Sequence, residues 1–366
     1  MKAKKVINTL NRLAPPFLID SWDNSGLQIG STEKQVEKIL ISLDLSENTL
    51  KKAVEEQVDM IVTHHPFLFG KLKRISLDDA KGKMIRDIIK NDIIVFSMHT
   101  NLDMCEGGVN DILCEKLGIE IKKPLSKFIT DRLYKISVFV PLDYSEQVRE
   151  ALGASGAGFI GNYSHCTFSS NGTGRFLPTE HTNPFIGITG KLEEVKEEKI
   201  ETIVDEHRLQ TVIAAMIKAH PYEEVAYDIY PLDNKGNVYG YGRVGNLSKT
   251  MTLREFSEVV NDNLGCSDLR IYGDLDKAIK KVAVCGGSGA SFIKDACREN
   301  VDVYVTGDIK YHDAQQALEL GVAVIDAGHF ETEKPCIDSL KKYLTEHTDL
   351  DISIYEESLA KFTTLK

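Results

Sequence analysis

What most constrains this chain is an alternation of short β-branched runs with stretches of helical apolar spacing, carried by its first and last thirds. Residues 39–43 precede a helix predicted over about 48–57, in which Leu50, Ala53 and Val54 recur at helical intervals. The run 60–63 follows, then a helix carrying Met84, Ile85, Ile88 and Ile89, then the run 93–96. A further helix from about Gly108 stops at Gly118. The pattern resumes where Thr252-Leu253-Arg254-Glu255 forms a capping box for a helix ending at Gly265. Runs 281–285, 301–306 and 322–326 come after it, with helices between them. Such alternation predicts an α/β fold with mostly parallel sheets covered by helices on both faces.

The polar residues fall at particular places in this pattern. Asp44 follows the first run, His64-His65 the second, and His99 with Asp103 the third. Gly286-Gly287-Ser288-Gly289 follows the fourth, Asp308 the fifth, and Asp326, His329 and Glu333 the sixth. Open α/β sheets bind ligands outside the carboxyl ends of their strands, and nearly every chemically able residue sits at such an end.

Residues 130–235 behave differently. Strands predicted at 134–140, 163–169, 199–204 and 225–230, with helices at 145–152 and 208–219, give the order β-α-β-β-α-β of a ferredoxin-like α+β unit. Residues able to hold metal flank this segment and must meet in space. It therefore reads as an insertion into a discontinuous metal-binding domain of residues 1–129 and 236–366.

Composition excludes several classes. A net charge of −11 does not suit general nucleic-acid binding, which needs a basic face. The cations of Gly70-Lys71-Leu72-Lys73-Arg74 could still meet a phosphorylated small molecule. No stretch approaches the roughly 20 apolar residues of a membrane span, and residues 1–13 lack a signal-peptide core. The expectation is a cytoplasmic protein. Seven scattered cysteines without a C-x-x-C pair suit reduced thiols.

His64 and His65 anchor the predicted chemistry. Neighbouring side chains on an extended segment point to opposite sides, so the two imidazoles can each reach a different ion. Asp103 adds a carboxylate from the next strand end. His329 and Glu333 are four residues apart and share a helix face. Pro335 belongs in a first helical turn, which puts His329 just ahead of that helix and Glu333 in its opening turn. His and carboxylate ligands suit zinc, manganese, iron or cobalt, with zinc foremost. Five ligands over two ions, with Glu333 as the bridge, leave positions for water and imply a catalytic site. His312, at helical spacing from Asp308, is as well explained by an exposed surface as by acid, base or supporting duty. His99 serves equally as a core histidine. The 286–289 loop could cradle a phosphate on its backbone N–H groups.

The stretches Val62-Thr63-His64-His65-Pro66-Phe67, Trp22-Asp23-Asn24-Ser25-Gly26-Leu27, Thr306-Gly307-Asp308-Ile309-Lys310 and Asp326-Ala327-Gly328-His329-Phe330-Glu331-Thr332-Glu333 resemble the GTP cyclohydrolase I type 2, or NIF-three-like, family over essentially the whole chain. The resemblance implies metal ligands at His64, His65, Asp103, His329 and Glu333. The segment bearing His220-Pro221-Tyr222-Glu223-Glu224 looks like the nitrogen-regulator or CutA-like domain of longer bacterial members. The family further implies a toroidal homohexamer and attack by metal-activated water on the purine ring of GTP or a related small molecule. Tyr311 departs from the histidine many members carry. Phosphoester or peptide hydrolysis would use a similar site, and a metal-dependent regulator without turnover is the other reading.

Overall fold

In the computed structural model, which describes residues 1–70 and 72–359, the chain divides into two compact units. One comprises Met1–Ile129 with the chain from Tyr239, the other Thr130–Val238.

The first unit begins with α1 (Ala3–Leu13), β1 (Gly26–Ile29), β2 (Lys38–Ser42), α2 (Glu47–Glu55), β3 (Met60–Thr63), α3 (Ala80–Lys90), β4 (Ile94–Ser97), α4 (Thr100–Met104) and α5 (Val109–Lys116). The second contains α6 (Ser145–Ala154), β6 (Thr167–Phe176), β7 (Glu193–Asp205) and α7 (Leu209–Ala219), entered along β5 (Ile119–Pro141) and left along β8 (Tyr227–Thr252). The first unit resumes with α8 (Leu253–Leu264), β9 (Arg270–Tyr272), β10 (Ala278–Ser288), α9 (Ile293–Arg298), β11 (Val303–Gly307), α10 (Tyr311–Glu319), β12 (Ala323–Asp326), α11 (His329–Glu333), α12 (Pro335–His347) and β13 (Asp351–Tyr355).

One sheet of the first unit has the order β1-β4-β3-β2-β13. Its inner strands are parallel and wholly or almost wholly buried, which is why they read as unbroken apolar runs. Alternate residues feed two cores. Ile39, Ile41 and Val62 pack with Val6, Leu10, Leu340 and Leu344 on one face. Leu40, Ile61 and Val95 pack with Leu50, Ile85 and Ile88 on the other. Each such side chain contributes about 1.5–3 kcal/mol by leaving water. The other sheet runs β8-β10-β11-β12-β9 in this unit. Val282, Val284, Val303 and Val305 meet Phe256 and Val260 of α8, whose N-terminus carries the expected Thr252–Glu255 capping box.

Both sheets are mixed. β1, β8 and β9 pair antiparallel with their neighbours. The short β1 and β9 and the late β13 escape a reading based on apolar runs, because edge strands are only half covered.

The second unit has the element order β-α-β-β-α-β and the strand order β6-β7-β5-β8. Val148, Leu152, Val212 and Met216 of its helices cover Ile136, Val138 and Ile200. The strand expected from residue 163 starts instead at Thr167, because His165 takes a left-handed φ of 58° that interrupts extension. Among the described residues no helix is long and apolar enough to cross a membrane.

Candidate metal centre

The first unit brings His64, His65, Asp103, His329 and Glu333 together. His64 and His65 leave the end of β3, Asp103 sits on α4 after β4, and α11 carries the other two. Glu333, 4 % exposed, offers one oxygen to each of two groups. Its Oε1 lies 3.7 Å from His64 Nε2, which is 3.6 Å from Asp103 Oδ1. Its Oε2 lies 3.1 Å from His65 Nε2 and 3.2 Å from His329 Nε2, and those two nitrogens are 3.3 Å apart. His99 joins His64 and His65 in a third group.

Every ring is turned the same way. His64 Nδ1 bonds the Met98 carbonyl at 2.7 Å, and His65 Nδ1 bonds Asp44 at 2.8 Å. His99 Nδ1 bonds Asp23 at 2.9 Å, and His329 Nδ1 bonds Asp308 at 2.7 Å. Oxygen acceptors at Nδ1 require the proton there, so each neutral ring presents an Nε2 lone pair. This is how metal-ligating histidines are held. Meanwhile His64 Nε2, Asp103 Oδ1 and Glu333 Oε2 are buried without any hydrogen-bond partner. Orphaned lone pairs are costly unless something positive receives them. These residues therefore fit a divalent cation.

The electrostatics agree. Burial opposes charge on His65, but its hydrogen bond to Asp44 and the negative charge of the adjacent Glu333 lift its pKa to about 10. Burial likewise opposes charge on His329, which Glu333 and Asp308 raise to about 9. Burial pushes the Asp103 carboxyl up, with Glu333 adding to it. The cluster attracts positive charge, whether protons or metal ions.

Neighbouring elements hold these side chains in place. Arg243 of β8, 5 % exposed, bonds the carbonyls of Met104 and Cys105 just after Asp103 and pairs with Asp111 of α5. Asn110 bonds the Asp103 carbonyl at 2.9 Å. Asp23 takes hydrogen bonds from Ser25, His99 and Thr100, which join the Trp22–Gly26 turn to α4. A cavity of about 630 Å³ opens beside His65 and His329, with Asp44, Arg270, Asp308 and Lys310 in its wall.

Other expectations met different outcomes. Pro335 does not cap the helix that holds Glu333. It starts α12, while α11 is a separate short helix spanning His329 to Glu333. Proline at a first helical position loses no hydrogen bond, so the two helices abut at Lys334. The 286–289 loop is no phosphate cradle. Its N–H groups at Gly286, Gly287 and Gly289 are taken by Asn110, Thr332 and Thr306. Asp308 orients His329, but His312 is exposed beside Tyr311 and Gln315 and does not line this cavity. Asp326 binds the N–H groups of Ile309 and Gly328 and so shapes the loops around the site. Lys71 lies outside the described residues, and Lys73 and Arg74 are exposed away from the cavity wall. His99 and its partner Asp23 were missed as a pair. The signal for it is the polar turn Asp23-Asn24-Ser25, which is also part of one of the motifs that carry the family resemblance.

Fold and site together define a mixed α/β protein whose His and Glu clusters could bind metal. The chain belongs to the Duf34/NIF3 (NGG1p interacting factor 3) family, whose model matches residues 1–360. It is 45 % identical over 345 residues to the GTP cyclohydrolase 1 type 2 homolog of Bacillus subtilis, covering 94 % of this chain and 92 % of that protein. A Bacillus cereus protein related to NIF3 has a crystal structure matching with a TM-score of 0.91 at 41 % identity, covering 100 % of this chain and 99 % of that one. The Staphylococcus aureus protein SA1388 matches with a TM-score of 0.75 at 28 % identity over 100 % and 99 % of the two chains.

Proposed function

We propose that this chain is a cytoplasmic, homohexameric hydrolase holding two divalent ions per subunit, with zinc foremost. His64 and Asp103 would hold one ion and His65 and His329 the other, with Glu333 giving an oxygen to each. The observation that carries this reading is that single shared carboxylate, set between two groups of inward-facing lone pairs. Bound ions would supply Lewis acidity, making water nucleophilic near neutral pH and countering charge at the attacked centre. Asp44 and Asp308 keep the rings of His65 and His329 in the tautomer that ligation needs. Arg270 and Lys310 in the cavity wall would meet an anionic substrate.

The names of the relatives support a purine nucleotide, GTP or a close analogue, as the substrate. The test is formate release from GTP by protein loaded in turn with zinc, manganese, iron and cobalt. Turnover should be seen with at least one metal and should vanish in His65→Ala. No turnover on GTP, phosphoesters or peptides with any of these metals would overturn the hydrolase reading in favour of a metal-dependent regulator.

A further inference from the structure

The second unit contains a cavity of about 620 Å³, a size typical of small-molecule sites. Its wall includes the rings of Phe139, Phe176, Phe185 and Tyr222 and the charged groups of Glu197 and Lys199. Glu197 is 8 % exposed. The one hydrogen bond to its carboxylate comes from the Tyr222 hydroxyl at 3.2 Å, and among the described residues no cation pairs with it. The cations in the wall are engaged elsewhere: Lys199 with Glu201 at 3.1 Å and Arg175 with Glu194 at 3.1 Å. Burial raises the pKa of this carboxyl above its ordinary value, and a cation set against it would offset the cost of its charge.

The surroundings are built to keep it there. A Cβ at Gly174 on the adjacent strand would fall 2.2 Å from Glu197 Oε2, so a side chain there would push the carboxylate aside. His220, 7 % exposed, donates Nε2–H to the Phe139 carbonyl and accepts the Tyr222 N–H at Nδ1. The His220-Pro221-Tyr222 motif thereby fixes the ring that faces Glu197. Glu223 binds the Asn183 N–H at 2.8 Å and tethers the loop bearing Phe185.

The ring geometry narrows the ligand class. Tyr222 is inclined 65° to Phe176 at 5.7 Å and 55° to Phe185 at 6.5 Å. Rings so inclined form a cage rather than the parallel walls that stack a flat base. Buried negative charge disfavours anions. No cluster of metal-ligating side chains includes Glu197 among the described residues. Aromatic cages with a nearby carboxylate suit alkylammonium groups, which combine positive charge with an apolar shell.

We propose that this cavity binds a small organic ammonium ion, its charge against Glu197 and its alkyl shell against Phe176, Phe185 and Tyr222. All the residues of this site belong to the second unit. The probe is choline, compared with its neutral isostere 3,3-dimethyl-1-butanol, by saturation-transfer NMR on the full chain. Transfer to choline methyl protons should exceed that to the isostere about five-fold or more. Glu197→Gln, which keeps the shape and the Tyr222 bond, should bring choline down to the isostere's level. Phe185→Ala, on a half-exposed loop, should weaken choline several-fold with an unchanged melting curve. Equal transfer to the two probes, no transfer to choline, or full transfer in a folded Glu197→Gln protein would overturn the proposal. The comparison of the two probes on the unaltered protein decides even if a variant fails to fold.

Discussion

At the scale of single residues, the metal centre depends on groups one bond removed from the proposed ions. Asp44 and Asp308 only orient imidazoles. Asp44→Asn and Asp308→Asn should each lower metal affinity about 10–100-fold while the protein stays folded, measured by competition with a chromogenic chelator. Retained affinity in both would remove the ring-orienting role. His220 gives a second residue-scale prediction. Burial lowers its pKa below the ordinary value of 6.5, against the hydrogen bond to Phe139. The unfolded chain therefore takes up this proton first, and the contribution of His220 to stability is full above about 6.5 and lost as pH falls towards its folded pKa. Protonation also removes the Nδ1 acceptor of the Tyr222 amide. The exchange protection factor of that amide should fall between pH 7 and pH 5, and one that stays constant would refute the linkage. Residue type, place at the strand ends and family motif make His64, His65, Asp103, His329 and Glu333 legible as candidates. They do not reveal that Asp23 faces His99, because the two lie 76 positions apart.

At the scale of elements, the decisive feature is an irregularity in β10. Its register with β11 shifts between Val284 and Ser288, where Gly287 takes a left-handed φ of 63°. A Cβ at Gly287 would lie 2.1 Å from Glu333 Oε1. Gly287→Ala should therefore displace the shared carboxylate and abolish tight metal binding, visible as a loss of metal in elemental analysis. Unchanged stoichiometry would show that Glu333 can move without cost. The glycine loop is conspicuous in the sequence, yet its purpose differs from the one the motif suggests. Gly-rich turns after strands often receive phosphate, whereas here absent side chains make room for α11 and the N–H groups serve Asn110, Thr332 and Thr306. Similarly, β2, β3 and β4 are legible from their apolar runs, while β9 and β13 are not, being only partly buried at the sheet edges.

At the scale of the whole molecule, the proposed metal ligands tie together stretches of chain far apart in sequence: His65 and Glu333 touch across the first unit. Ions bound there should stabilise the folded state by mass action. Removal with a chelator should lower Tm by about 5–10 °C, restored by zinc, and an unchanged Tm would count against the centre. Light scattering should return six times the chain mass of 40.8 kDa, and a monomer would end the hexamer proposal. The linear sequence by itself determined the α/β class, the run of chemically able residues at strand ends and the family, because apolar period and local motif are written residue by residue. Only the tertiary structure decided which oxygen of Glu333 meets which imidazole, that His99 joins them and that His312 does not. Those facts depend on the packing of distant strands and helices, and spacing along the chain carries no record of it.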